Sequence, residues 1–139
     1  MRRNDPISRL LTPNAVSVQV GQPLSAARQT LAAGSFRHLP VVDGSKLVGI
    51  LSATDMMRLS FDAFGADDRT MDHVLDEQFK LADVMTADPV TMQYIETVRD
   101  AVEKLSDGKF NSLPVVDESG NLLGIVTSTD LIRYLGAQY

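Results

Sequence analysis

A chain of 139 residues, with 44% hydrophobic and 22% charged side chains, has the composition of one globular domain and holds no apolar run of roughly 18 residues that could span a membrane. Its formal net charge of −5 argues against a surface built for a nucleic-acid backbone, and the absence of cysteine excludes disulfides and thiolate metal sites. Met1-Arg2-Arg3-Asn4-Asp5-Pro6 is basic with no apolar core behind it, so it does not read as a secretory signal, and a cytoplasmic protein is expected.

In chain order, residues 15–20 alternate apolar and polar side chains and are expected to form a strand. Leu24, Ala27 and Leu31 then share one face of a helix that closes at Gly34, the residue type that tolerates a left-handed cap. Two apolar runs follow, 39–42 and 47–51, joined by a polar turn; their unbroken apolar character predicts strands buried on both faces. A second helix starts near Ala53. Residues 61–80 carry Met71, Val74, Leu75 and Phe79 at helical spacing, which predicts a connecting helix with one face docked and a solvated His73.

The pattern then starts again. Leu39-Pro40-Val41-Val42-Asp43 returns as Leu113-Pro114-Val115-Val116-Asp117, and Gly49-Ile50-Leu51-Ser52-Ala53-Thr54-Asp55 returns as Gly124-Ile125-Val126-Thr127-Ser128-Thr129-Asp130. The first pair is offset by 74 residues and the second by 75, so one residue has slipped in the turn between the two apolar runs, where insertions cost least. The copy supplies a strand at 90–92, a helix through Val98, Ala101, Val102 and Leu105 that closes at Gly108, strands at 113–116 and 122–126, and a last helix from near Ser128. Each unit reads β-α-β-β-α. About 60 residues hold too little core to stand alone, so the two are expected to pack together.

Chemistry concentrates in Ser52-x-x-Asp55 and Thr127-x-x-Asp130. Each sets a hydroxyl at a strand end and a carboxylate in the first turn of the next helix, beside backbone N–H groups that favour an anion. An ionised Asp only accepts hydrogen bonds, which suits a vicinal diol such as a ribose; Thr54 and Thr129 add hydroxyls. The same spacing is the signature of a helix capping box, although the box favours Glu or Gln over the shorter Asp. The residues alone leave both readings open. Charge adds an asymmetry: residues 1–60 hold seven basic against three acidic side chains, while both later stretches are net acidic. Such drift is ordinary for a solvated surface, and it would also draw a small anion to the first repeat.

Two β-α-β-β-α units with a doubled Leu-Pro-Val-Val-Asp strand and a doubled Gly-Ile-φ-Ser/Thr-x-Thr-Asp junction resemble a pair of cystathionine-β-synthase-type (CBS) domains, a Bateman module. The resemblance covers residues 7–60 and 81–137, with 61–80 as linker; Val84-Met85-Thr86 and Leu11-Thr12-Pro13 resemble the Met-Thr start of such repeats, the first copy departing from it with Leu11. It implies an α+β fold of two repeats about a pseudo-two-fold axis and a regulatory module that binds AMP, ADP or ATP, or in some members S-adenosylmethionine, in the cleft between repeats. Carried over, one site joins Ile50, Ser52, Thr54 and Asp55 to Thr86, Val90 and Phe110. The other joins Ile125, Thr127, Thr129 and Asp130 to Thr12, Val16 and Phe36. Phosphates would lie near Arg37 and His38 in the first copy, where the second has Asn111 and Ser112.

An enzyme is not expected: no Cys is present, the two His occupy unrelated repeat positions, and no phosphate-loop Gly-x-x-x-x-Gly-Lys occurs. No cofactor or metal is required by the reading, and no membrane or nucleic acid is expected as partner. A ligand-free dimerisation or partner-binding module remains the alternative, because the last helices carry Met56, Met57 and Leu59 in one copy and Leu131, Ile132, Tyr134 and Leu135 in the other. The family commonly dimerises through such helices, so a homodimer is expected, with an effector protein the sequence does not name.

Overall fold

Strands β3 (His38–Asp43) and β4 (Lys46–Ser52) form the hairpin that the two apolar runs of the first copy predict, and β7 (Ser112–Val116) and β8 (Leu122–Thr127) repeat it. A computed structural model describes residues 5–13, 15–34, 37–60 and 67–139. All five residues of β7 are buried, as are the four central ones of β3, which is what continuous apolar strands require. Gly44, at φ 66°, turns the first hairpin in two residues. The second takes the longer turn Asp117–Asn121, whose Asp117 carboxylate accepts from the N–H groups of Ser119 and Asn121. The one-residue slip between the copies therefore lies in a surface turn.

The chain forms two α+β units, each with one four-stranded sheet, and they interleave the sequence repeats. The first unit spans Val16–Pro89. Its sheet runs β2 (Val18–Gln19), β3, β4, β5 (Thr86–Ala87), parallel at β2–β3 and antiparallel elsewhere. The second unit takes the chain up to Ala15 together with Val90–Tyr139, and its sheet runs β6 (Met92–Gln93), β7, β8, β1 (Thr12–Pro13) in the same pattern. Each repeat thus sends its lead-in strand to the sheet that holds the other repeat's hairpin. The strands expected at 15–20 and 90–92 pair over only two residues each. Both parallel ladders begin at the residue after proline, Val41 and Val115, since Pro40 and Pro114 have no N–H to offer.

Helices α1 (Leu24–Ala33) and α5 (Val98–Leu105) make the crossovers between the parallel strands. Gly108 takes the left-handed conformation expected after α5, at φ 75°, but Gly34 is extended at φ −106°, so the first helix ends without that cap. The connecting segment forms α3 (Asp68–Gln78), which buries Leu75; Met71 and, just past the helix end, Phe79 pack against a core of Leu24, Ala27, Leu39, Val41, Leu51 and Met56. His73 is exposed beside Glu77, as expected. Phe61 lies outside the described residues.

Polar contacts fix α3 where the sequence pointed only to its apolar face. Pro23 gives α1 no side-chain cap, and Asp76 of α3 fills that role: Ser25 donates to it from its N–H (2.8 Å) and from Oγ (2.6 Å). Asp72, one turn earlier, accepts from Arg28 Nε (2.5 Å) and Gln29 Nε2 (2.8 Å). Helix α5 needs no such help, because Thr97 and Asp100 close a capping box at its start.

The lead-in strand β5 crosses close over β4. A Cβ added at Gly49 would fall inside contact distance of Met85 Sδ and within 2.8 Å of its Cγ and 3.0 Å of the Thr86 carbonyl. Gly49→Ala should therefore cost about 1–3 kcal/mol by overpacking. Gly49→Ala/Met85→Ala should cost less than the sum of its parts in urea denaturation, because the larger obstacle is gone.

The Arg28 hydrogen bond holds the Asp72 carboxyl below the usual carboxylate range. A lowered carboxyl pKa contributes stability above the unfolded value of about 3.9 and loses it as pH falls through the folded one. Asp72→Asn should cost about 1 kcal/mol at pH 7. In urea melts the gap to the parent should close below roughly pH 4.

Candidate functional site

No loop separates β4 from the helix that follows it, α2 (Ala53–Ser60), nor β8 from α6 (Ser128–Ala137). The hydroxyl and the carboxylate of each Ser/Thr-x-x-Asp motif therefore sit on one rigid junction. Asp130 N–H donates to Thr127 Oγ1 (3.1 Å), and Thr127 N–H donates back to Asp130 Oδ2 (2.9 Å), a complete capping box. At the first junction Asp55 N–H donates to Ser52 Oγ (3.0 Å), but the return bond from Ser52 N–H to Asp55 Oδ2 is long, at 3.4 Å. The capping reading of the motif is thus realised in both copies. It engages one oxygen of each carboxylate. Oδ1 of Asp55 and of Asp130 accepts no hydrogen bond among the described residues, and a carboxylate has room for about four.

The backbone donors expected at these helix starts are largely taken. Ala53 N–H donates to the Arg37 carbonyl (2.8 Å) and Ser128 N–H to that of Asn111 (2.9 Å), while the third N–H of each helix serves its capping hydroxyl. Among the described residues, the N–H of Thr54 and of Thr129 have no acceptor in each first turn, and both side chains are exposed.

The sheets assemble part of each expected residue set. Thr86 pairs with Ile50 across β4–β5 in the first unit, and Thr12 pairs with Ile125 across β1–β8 in the second. Val90 and Phe110 belong to the second unit and Val16 to the first. Val16 and Val90 are half exposed, at 51% and 50%, whereas Phe110 packs against the core around Ile7, Met92 and Leu113. Phe36 lies outside the described residues.

The approach to each junction differs in charge. Arg37 is exposed, with no ion pair among the described residues, and His38 sits half-buried opposite Ser52 in the β3–β4 register. Burial pushes the His38 imidazole below its usual range; Asp55 opposes that and Arg37 adds to it. In the second unit the corresponding pair is neutral, with Asn111 exposed and Ser112 buried opposite Thr127. Among the described residues, no cluster of three His, Cys, Asp or Glu is placed to hold a metal ion, and no helix is long and apolar enough to cross a membrane.

A family model for the CBS domain matches residues 7–62 and 81–137. The chain belongs to the CBS domain family. A CBS domain-containing protein of Dictyostelium discoideum is 29% identical over 131 residues, covering 93% of this chain and 90% of that protein. MJ1225 of Methanocaldococcus jannaschii is 26% identical over 132 residues, and the chain spans only 47% of its length. Among solved structures, CBSX2 of Arabidopsis thaliana in complex with AMP superposes with a TM-score of 0.79 at 26% identity, over 97% of this chain and 99% of that one. The CBS domain pair of MJ0100, in complex with 5′-methylthioadenosine and S-adenosyl-L-methionine, gives 0.75 at 25% identity, over 94% and 99%.

The two CBS junctions should differ in how much stability their Asp supplies. Asp130→Ala removes a 2.9 Å capping bond and should cost about 1 kcal/mol without ligand. Asp55→Ala removes the 3.4 Å bond and should cost measurably less in the same urea titration.

Proposed function

We propose that this CBS pair is a non-catalytic regulatory module that binds an adenosine-containing ligand, AMP, ADP or ATP, and signals by a change of conformation. The observation that carries the reading is the uncommitted Oδ1 of each capping Asp. It is an acceptor held on a rigid strand–helix junction, suited to the paired hydroxyls of a ribose. Thr86 beside Ile50 and Thr12 beside Ile125 support it, since the exchanged strands bring each to the junction that the family resemblance assigns it. The AMP complex of CBSX2 and the methylthioadenosine and S-adenosylmethionine complex of MJ0100 support the ligand class. The nucleotide is a ligand in this reading, with no bond made or broken, and the Cys-free acidic chain fits a cytoplasmic place of action.

The Asp55 junction is the better phosphate site. Arg37 offers a planar fork of donors at fixed charge, where Asn111 offers only neutral hydrogen bonds. Titration of Asp55→Ala and Asp130→Ala with AMP or ATP should show the larger affinity loss for Asp55→Ala, opposite to the order of their stability losses; equal affinity losses would count against the assignment.

Exposed Met57 on α2 and Ile132 and Leu135 on α6, at 63%, 68% and 42%, favour a second reading, a self-associating module that needs no ligand. Thermal shift separates the two. AMP at 100 times its Kd should add about 2.7 kcal/mol under the first and nothing under the second.

A further inference from the structure

We infer that binding of a phosphate-bearing ligand at the Asp55 junction is coupled to proton uptake by His38, and that the Asp130 junction lacks this coupling. The inference rests on the function proposed above and concerns how that function responds to pH.

His38 opens β3 with its side chain half-buried and without a hydrogen bond among the described residues. Two charged groups act on it: Asp55 from the first turn of α2, and Arg37 from the segment that leads into β3. β4 places the uncharged Ser52 opposite. With desolvation outweighing the attraction of Asp55, the imidazole is neutral near pH 7. An anion set beside Arg37 offsets the repulsion from the guanidinium and adds a negative charge of its own. Both changes favour the imidazolium. The second unit supplies an internal control, because Asn111 and Ser112 have no group that titrates near neutrality.

By linkage, an anion that raises the proton affinity of His38 must bind more tightly as pH falls, up to about tenfold per pH unit for one full proton. The useful window is roughly pH 6.5–8, above the second phosphate pKa of about 6. The chain has only two His, so imidazole NMR resolves His38 against exposed His73. Three results are expected: saturating AMP raises the His38 titration midpoint by about one unit and leaves His73 in place; AMP affinity rises several-fold from pH 8 to 6.5; and His38→Gln, even with weaker AMP affinity at every pH, loses that rise. Adenosine, without a phosphate, should leave His38 unmoved. An unchanged His38 midpoint in the AMP complex, or an undiminished pH dependence in His38→Gln, overturns the inference. Should neither AMP nor adenosine bind, the proposed function fails on its own, and titration with pyrophosphate decides the coupling: movement of the His38 midpoint supports it, and none overturns it.

Discussion

Leu81 and Ile7 occupy equivalent places 74 residues apart, and each is fully buried in the unit built around the other repeat's hairpin. Leu81 starts helix α4 (Leu81–Val84), whose chain continues through Met85 into β5 against Gly49 and Ile50. Ile7 packs with Met92, Leu113 and Val126, and its N–H donates to the Glu96 carbonyl (2.9 Å) before the chain runs into β1. Neither repeat holds its own complete core. A sheet that must borrow its fourth strand and a buried aliphatic side chain cannot form from one repeat's sequence, so the two repeats fold as mutual conditions of each other.

That dependence fixes the geometry at the junctions. The borrowed strand places Thr86 at Ile50 and Thr12 at Ile125, two residues before the capping hydroxyls Ser52 and Thr127. Gly49 is required for it, since any side chain there would displace Met85. The Gly49-Ile50 step therefore records a close crossing of the chain at Met85 and Thr86, a reason separate from the hydroxyl and carboxylate that follow.

Much of this was legible in the sequence, and the limits have physical causes. The hairpins and the starts of α2 and α6 follow from apolar runs and a capping signature, both strictly local. Strands β2 and β6 are shorter than their alternation suggests because pairing depends on the partner strand, and each partner carries a proline, Pro40 or Pro114, as its third residue, just before the ladder starts. The exchange of lead-in strands left no local mark: a repeat pattern shows that residues 12 and 86 are equivalent, not which sheet each joins. Asp72 and Asp76, which the apolar spacing of 61–80 does not single out, hold α3 to α1, because α1 follows Pro23 without a cap of its own while α5 follows Thr97 with one. At the site, the Ser/Thr-x-x-Asp motif left a cap and a ligand both open, and the geometry realises the cap while leaving one oxygen per carboxylate uncommitted.

A cap and a ligand site need not compete, and a carboxylate serving both would carry occupancy to the rest of the unit. The carboxylate that would accept ribose hydroxyls on Oδ1 holds the first turn of the following helix through Oδ2. Any pull on one oxygen rotates the other. At Asp130 the box is tight, so the helix resists; at Asp55 the 3.4 Å return bond leaves slack, and the carboxylate can turn at little cost. A ligand at Asp55 would then tighten or break the cap of α2, the helix whose Met56 is buried in the core and whose Met57 is exposed. Coupling of this kind is reciprocal: whatever repositions α2 from outside, a second copy or an effector, changes ligand affinity by the same factor. The slack junction is also the one flanked by Arg37 and His38, so the charge that would recognise a phosphate and the helix that would report it meet at the same carboxylate.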